Sequence, residues 1–111
     1  MSRHADIAAL NDAMRRAGPF AGTGQWMTTQ GVAIKGCAFA QTALRRVMAF
    51  DDFTADNDPY GEHDFGSFEI NGLRLFWKID CYDLALEYGS PDPADPTVTR
   101  RVLTIMLASE Y

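Results

Sequence analysis

The sequence has 111 residues, of which 47% are hydrophobic, and its formal net charge is −5. A chain of this length predicts one domain over residues 1–111, with a core that needs neither a metal nor a disulfide. No signal-peptide pattern and no run of about 20 apolar residues occurs, so we expect a soluble, cytoplasmic protein without a membrane span.

The first half of the chain predicts two helices and a short strand. Apolar residues recur at helical spacing from Ile7 to Met14 and predict a helix over residues 6–17. Residues 25–29 are rich in β-forming side chains and predict a strand. Residues 37–50 predict a second amphipathic helix, because apolar side chains repeat along one of its faces.

The clearest prediction is a β-hairpin over residues 65–82. Asn71-Gly72 separates two alternating runs, and this dipeptide favours a two-residue turn with positive φ at both positions. The turn pairs Ile70 with Leu73. It also predicts a core face with seven members: Phe68, Ile70, Leu73, Leu75, Trp77, Ile79 and Cys81.

The C-terminal segment predicts a third helix. Asp95-Pro96 combines a favoured helix cap with a favoured first residue, and apolar side chains recur through residues 96–111. The predicted fold class is therefore α+β. It comprises a three-stranded antiparallel sheet, with the hairpin at its centre and about three helices packed on one face. Cys37 and Cys81 are interpreted as reduced thiols in the core.

A polar segment over residues 56–64 is the best candidate for a site. Extending the hairpin register places His63 opposite Asp80, and a carboxylate beside an imidazole suits acid–base chemistry. The alternative is a structural hydrogen bond that closes the open end of the hairpin. If the protein is an enzyme, His63 and Asp80 are the catalytic candidates. If it holds a divalent metal, the ligand candidates are Glu62, Asp64 and Asp80. No cofactor is expected.

Charge is unevenly distributed along the chain. Residues 1–50 carry six basic residues against Asp6 and Asp12, whereas residues 51–95 carry twelve acids against two basic residues, a net charge of −10. Such a block repels nucleic acid and attracts a basic protein surface. The plainer interpretation is a solvated face. The partner-binding candidates are Asp51, Asp52, Asp56, Asp58, Tyr60, Glu62, Asp64, Asp83 and Glu87.

The segment Gly22-Thr23-Gly24 is too short for a phosphate-binding loop, and neither cysteine has a flanking histidine. Sequence motifs therefore indicate no nucleophile and no nucleotide-binding signature.

Several stretches carry a resemblance to a known family: LNDAMRR, FDDFTADNDPYGEHDFGSFE, LFWKIDCYD and SPDPADPTVTRRVLTIMLASEY. They resemble a bacterial family of short proteins known only as a domain of unknown function, often encoded on plasmids and other mobile elements. PYGEHDFG and the DPADP stretch are its specific motifs, and residues 19–38 depart from the pattern. The resemblance implies no established activity, but it implies mobile-element biology.

Two hypotheses follow. The first is a small acidic intracellular binding protein, an anti-defence inhibitor that occupies a basic, nucleic-acid-binding surface of a partner protein, as antirestriction and anti-CRISPR proteins do. It predicts a protein partner, no direct nucleic-acid binding and no membrane contact. The alternative is a metal-assisted or His/Asp-dependent enzyme that uses the 56–64 loop and Asp80.

Overall fold

The computed structural model describes residues 3–111, and the fold is α+β with three helices and a four-stranded mixed sheet within that range. The sheet order is β1-β4-β3-β2; β1 runs parallel to β4, and the other neighbours are antiparallel. In chain order the elements are α1 (Arg3–Ala17), β1 (Gln25–Thr28), α2 (Gln30–Ala33), α3 (Cys37–Met48), β2 (Phe65–Ile70), β3 (Leu73–Tyr82) and β4 (Arg100–Leu107).

The predicted hairpin is confirmed in turn and register. Ile70 pairs with Leu73, and the pairing continues to Phe65 opposite Lys78. Asn71 and Gly72 both have positive φ, 52° and 80°, as the two-residue turn requires. Because side chains alternate between the faces of a strand, this register directs Trp77 into the interior, where it is fully buried.

The core lies between one face of the sheet and the helices. The apolar helical stripes of α1 and α3 supply part of it, as their spacing predicts, and the one-turn helix α2 supplies Val32. The sheet contributes seven buried side chains, and the helices contribute four: Phe68, Ile70, Leu75, Trp77, Ile79, Leu103 and Ile105, with Met14, Val32, Ala43 and Val47.

The C-terminal helix prediction is wrong. Asp95 does cap a turn, since its carboxylate accepts a 2.9 Å hydrogen bond from the Thr97 amide, but that turn ends at Val98. Residues 100–107 then form β4, which lies between β1 and β3 and is buried on both faces. A central strand of this kind has a nearly continuous apolar run, and periodicity cannot separate that from a buried helix. The sheet therefore has four strands rather than three and includes a parallel pair.

The prediction for the two cysteines holds for one of them. Both are free; Cys81 is half-buried and packs against the core, whereas Cys37 is exposed at the start of α3. Cys37 is thus not a core residue, because its own position on the first turn of α3 faces solvent, whereas Phe39 and Ala40 on the same turn pack against the core. Among the helices of residues 3–111, none has the length and apolar character needed to cross a membrane.

Candidate functional site: a charged cluster between the acidic loop and the first helix

His63 lies at the centre of the contact between α1 and the acidic loop, defined as residues 51–64. Its Nδ1 atom is 3.0 Å from both carboxylate oxygens of Asp12, and its Nε2 atom is 3.6 Å from Oδ2 of Asp58. The ring stacks on Phe53, with centroids 3.9 Å apart and an interplanar angle of 2°. Both ring nitrogens thus face carboxylates of the same chain. The arrangement suits a structural link between loop and helix better than a base that receives a substrate proton.

The predicted pairing of His63 with Asp80 is wrong. The ladder continues one residue past Phe65, since the Ile79 amide donates a 2.8 Å hydrogen bond to the Asp64 carbonyl. At His63 the backbone adopts φ = 55°, which turns the chain out of the strand. Asp80 instead forms a 3.0 Å ion pair with Lys78, and within residues 3–111 no hydrogen bond or ion pair joins it to His63.

The metal hypothesis also lacks geometric support. The Glu62 carboxylate accepts a 2.6 Å hydrogen bond from Nδ1 of His4, and Asp80 forms an ion pair with Lys78. Asp64 remains half-buried; burial is the main cause that raises its pKa, and the charges of Glu62, Asp58 and Asp80 add to it. In the part of the chain that the structure describes, no three His, Cys, Asp or Glu residues form a group that could hold a metal ion.

Arg15 extends the cluster into the core. Its side chain is fully buried, and its Nη2 atom donates a 3.0 Å hydrogen bond to Asp12. Its Nη1 atom donates to the carbonyls of Val47 and Met48, the last residues of α3. The guanidinium lies 5.5 Å from the ring centroid of Phe53 and 5.3 Å from that of Trp77. This single side chain therefore connects α1, α3 and the acidic loop.

Asn11, the residue before Asp12 on α1, makes a second set of polar contacts. Asn11 is fully buried, and its Nδ2 atom donates a 2.9 Å hydrogen bond to the Glu62 carbonyl. Its Oδ1 atom accepts a 2.7 Å hydrogen bond from Nε of Arg101 on β4. Arg101 is only 6% exposed, and its Nη2 atom donates to the Pro93 carbonyl at 2.6 Å. Asn11 thus links the acidic loop to the sheet.

The predicted partner-binding residues fall into two groups. One group is exposed on the acidic loop and on the turn after β3: Asp51, Asp52, Asp56, Tyr60 and Glu87. The other group is used within the fold: Asp58, Glu62, Asp64 and Asp83. Asp58 is 8% exposed and bonds the His63 backbone amide, and the Asp83 carboxylate accepts from the amides of Glu87 and Tyr88. The carboxylates of Asp58 and Asp83 therefore stabilise their own loops and are not free to contact a partner.

Sequence reasoning missed the helix side of the cluster, namely Asn11, Asp12 and Arg15. A signal was present: Asn11 and Arg15 stand four and eight residues after Ile7, on the stripe that faces the core. Polar side chains on an apolar stripe are buried, and buried polar groups require partners from another element. Arg101 carries no comparable signal, because the apolar run of β4 does not distinguish a strand from a helix.

Comparison with known proteins adds one finding. Residues 28–110 match the family described as Protein of unknown function (DUF3768). The chain belongs to the DUF3768 family. No curated protein and no solved structure matches it. In this DUF3768 protein the matched range includes the whole acidic loop and Arg101, whereas Asn11, Asp12 and Arg15 precede it.

Proposed function

We propose that the protein is a binding protein whose acidic loop contacts a basic surface of a partner protein. The proposal rests on three exposed carboxylates that have no bonding partner within the described residues. Asp51, Asp52 and Asp56 are exposed, and within residues 3–111 their side chains form no hydrogen bond or ion pair. Charge that is left without an internal partner on an ordered loop is available to another molecule.

The loop is held in shape by its own side chains. Oδ1 of Asn57 accepts a 2.8 Å hydrogen bond from the Thr54 amide, and Nδ2 of Asn57 donates to the Asp52 carbonyl at 3.0 Å. Phe53 packs inward against His63 and Phe50. Because the loop is ordered before it binds, association costs less conformational entropy than it would for a flexible acidic segment.

Tyr60 gives the same loop an apolar contact. It is 72% exposed and stacks loosely on His4 at a centroid distance of 6.0 Å. Tyrosine is enriched at the centres of protein interfaces, where its ring supplies contact area and its hydroxyl a hydrogen bond. Exposed carboxylates around an exposed tyrosine suit a partner surface that is basic and partly apolar.

The partner surface that best fits this chemistry is one that binds nucleic acid, because such surfaces carry the arginine and lysine residues that neutralise phosphates. The acidic loop would compete with the nucleic acid for those residues. In a mobile-element setting, which the family resemblance implies, this is the action of an anti-defence inhibitor of the antirestriction or anti-CRISPR type.

The test compares capture of host proteins by the wild type, by D52N/D56N and by the matched control D6N/E69Q, which removes the same charge outside the acidic loop. We expect a partner that is captured at low salt, lost at high salt and lost with D52N/D56N. The captured partner should also lose nucleic-acid binding when the wild type is added. Equal capture by all three proteins, or capture that salt does not affect, would contradict the proposal.

A further inference from the structure

The sheet has two edge strands, β1 and β2, and they differ in how their outer edges are protected. Each pairs with a single neighbour, so each carries backbone N–H and C=O groups that no other strand within residues 3–111 bonds. Such an edge can pair with another chain, and proteins commonly protect it with charged side chains, proline, a short strand or a covering element. An edge that lacks most of this protection is a candidate interface.

The outer edge of β2 is protected by charged side chains. The Ile79 amide bonds the Asp64 carbonyl, so in this ladder the backbone groups of even-numbered residues face β3 and those of odd-numbered residues face outward. Nη1 of Arg46 donates a 3.0 Å hydrogen bond to the outward carbonyl of Glu69. The Glu69 carboxylate also forms a 2.7 Å ion pair with Arg74 beside the same edge. A strand added to β2 would therefore have to displace Arg46 and would meet this ion pair.

The outer edge of β1 has no comparable protection. The Thr29 amide donates a 3.0 Å hydrogen bond to the Ile105 carbonyl of β4. With the parallel register of β1 and β4, the backbone groups of odd-numbered residues face β4, and those of Trp26 and Thr28 face outward. Within residues 3–111, no hydrogen bond reaches these outward groups. At four residues β1 is short, which limits pairing, but it contains neither a charged residue nor a proline.

The segment that contains β1 is the longest uncharged stretch of the chain. Residues 17–34 include no Asp, Glu, Lys, Arg or His, although 23% of the whole chain is Asp, Glu, Lys or Arg. Three of its large apolar side chains are exposed: Phe20 at 97%, Met27 at 55% and Ile34 at 74%. A mainly apolar cavity of about 240 Å³ is lined by residues of β1 and α3. Exposed apolar side chains without charge are typical of the core of a protein interface.

Charge and symmetry favour a second copy of this chain as the molecule that covers this edge. The net charge of −5 makes two copies repel each other overall, so an uncharged segment is where they can approach most easily. The edge is also self-complementary. With a two-fold axis at Met27, Trp26 of one copy lies opposite Thr28 of the other, and both residues have outward backbone groups. An antiparallel pair then forms without a shift of register.

We propose that the protein forms a two-fold dimer in which β1 pairs antiparallel with β1 of a second copy. The pairing joins the two four-stranded sheets into one continuous sheet and removes the unprotected edge from solvent. Trp26 and Thr28 exchange N–H···O=C hydrogen bonds with Thr28 and Trp26 of the second copy. Met27 lies opposite Met27 of the second copy at a position without hydrogen bonds, where side chains come closest. The acidic loop takes no part in this pairing, so the inference is independent of the proposed function.

Sedimentation equilibrium of the whole chain over a range of protein concentrations tests the proposal. We expect a monomer–dimer equilibrium that added salt does not weaken, because the pairing surface is uncharged. Met27→Lys and Met27→Glu each place like charges opposite each other, so each should weaken dimerisation about tenfold, and an equimolar mixture of the two should restore it. Leu84→Lys is the matched control: Leu84 is 53% exposed but lies outside residues 17–34, so this change should leave dimerisation unchanged.

Hydrogen exchange at single backbone amides tests the pairing itself. The amides of Trp26 and Thr28 should be protected only at concentrations where the dimer forms, whereas the Met27 amide, which faces β4, should be protected at every concentration. The Ser67 amide on the outer edge of β2 is the control and should exchange fast throughout. A chain that stays monomeric up to about 1 mM, or equal weakening by Met27→Lys and Leu84→Lys, would overturn the proposal. So would a mixture that does not restore the dimer, or a dimer that leaves the Trp26 and Thr28 amides unprotected.

Discussion

Arg15 and Arg16 are adjacent in sequence but differ in environment, and replacing each with methionine should show how much the buried cluster contributes to stability. The Arg15 side chain is fully buried, whereas 64% of the Arg16 side chain is exposed. Methionine keeps the packing of Arg15 against Phe53 and Trp77 but removes its hydrogen bonds to Asp12 and to the end of α3. Breaking a buried ion pair by removing one partner costs about 3–5 kcal/mol, a large part of the about 5–15 kcal/mol that stabilises a domain.

Urea unfolding measures this difference. With an m-value of about 1.5 kcal/mol/M, the loss expected for Arg15→Met lowers the midpoint by about 2–3 M. Arg16 lies 4.0 Å from the same carboxylate but in solvent, so Arg16→Met should cost less than about 1 kcal/mol. The double variant R15M/D12N should lose less than the sum of its two single variants, because the two side chains bond each other. Midpoints for Arg15→Met and Arg16→Met that agree within error would refute this account of the cluster.

Three further predictions concern residues around the site. His63→Gln loses the Phe53 stack and the Asp12 contact, so it should destabilise the fold by about 1–2 kcal/mol and speed proteolysis of the acidic loop. His4→Gln loses only exposed contacts with Glu62 and Tyr60 and should have a smaller effect on both. Asp64→Asn should raise the melting temperature at neutral pH: the folded-state pKa of Asp64 is raised, so its ionisation lowers stability as pH rises above the ordinary value of about 3.9, and the gain should vanish near about pH 3. Gly66→Ala places a Cβ atom against Nε1 of Trp77 and 2.8 Å from Cζ of Phe50, so urea unfolding should show a free energy of unfolding that is lower by about 1–3 kcal/mol. Gly89→Ala is the control, because its Cβ atom would lie in open space and should change the free energy of unfolding very little.

The parts of the fold that could be predicted from sequence are those fixed by local chemistry. Asn71-Gly72 determines the hairpin turn, and the alternation on either side of it determines which side chains are buried. Helices α1 and α3 each have an apolar stripe with helical spacing, and the predicted ranges 6–17 and 37–50 agree with the observed helices within a few residues. In each case, residues close together in sequence contain the information.

The parts that could not be predicted depend on contacts between distant segments. β4 is identifiable as a strand only through its neighbours, since its apolar run is compatible with a helix until β1 and β3 are placed on either side. The partner of His63 is Asp12, 51 residues away, and the positive φ at His63 breaks the register that pointed to Asp80. Extending a strand register by counting residues is valid only while both strands remain hydrogen-bonded to each other.

Two neighbouring positions on α1 show why the two buried arginines differ in what they can do. Asp12 gives Arg15 a carboxylate, so the charge of that guanidinium is paired inside the fold. Asn11 gives Arg101 an amide oxygen at a similar distance, 2.7 Å, which satisfies a hydrogen bond without cancelling a charge. The same amide must also donate to the Glu62 carbonyl, a bond that a carboxylate could not make. The requirement to hold the acidic loop therefore keeps position 11 neutral, and Arg101 receives two neutral hydrogen-bond acceptors, Asn11 and the Pro93 carbonyl, where Arg15 receives a carboxylate.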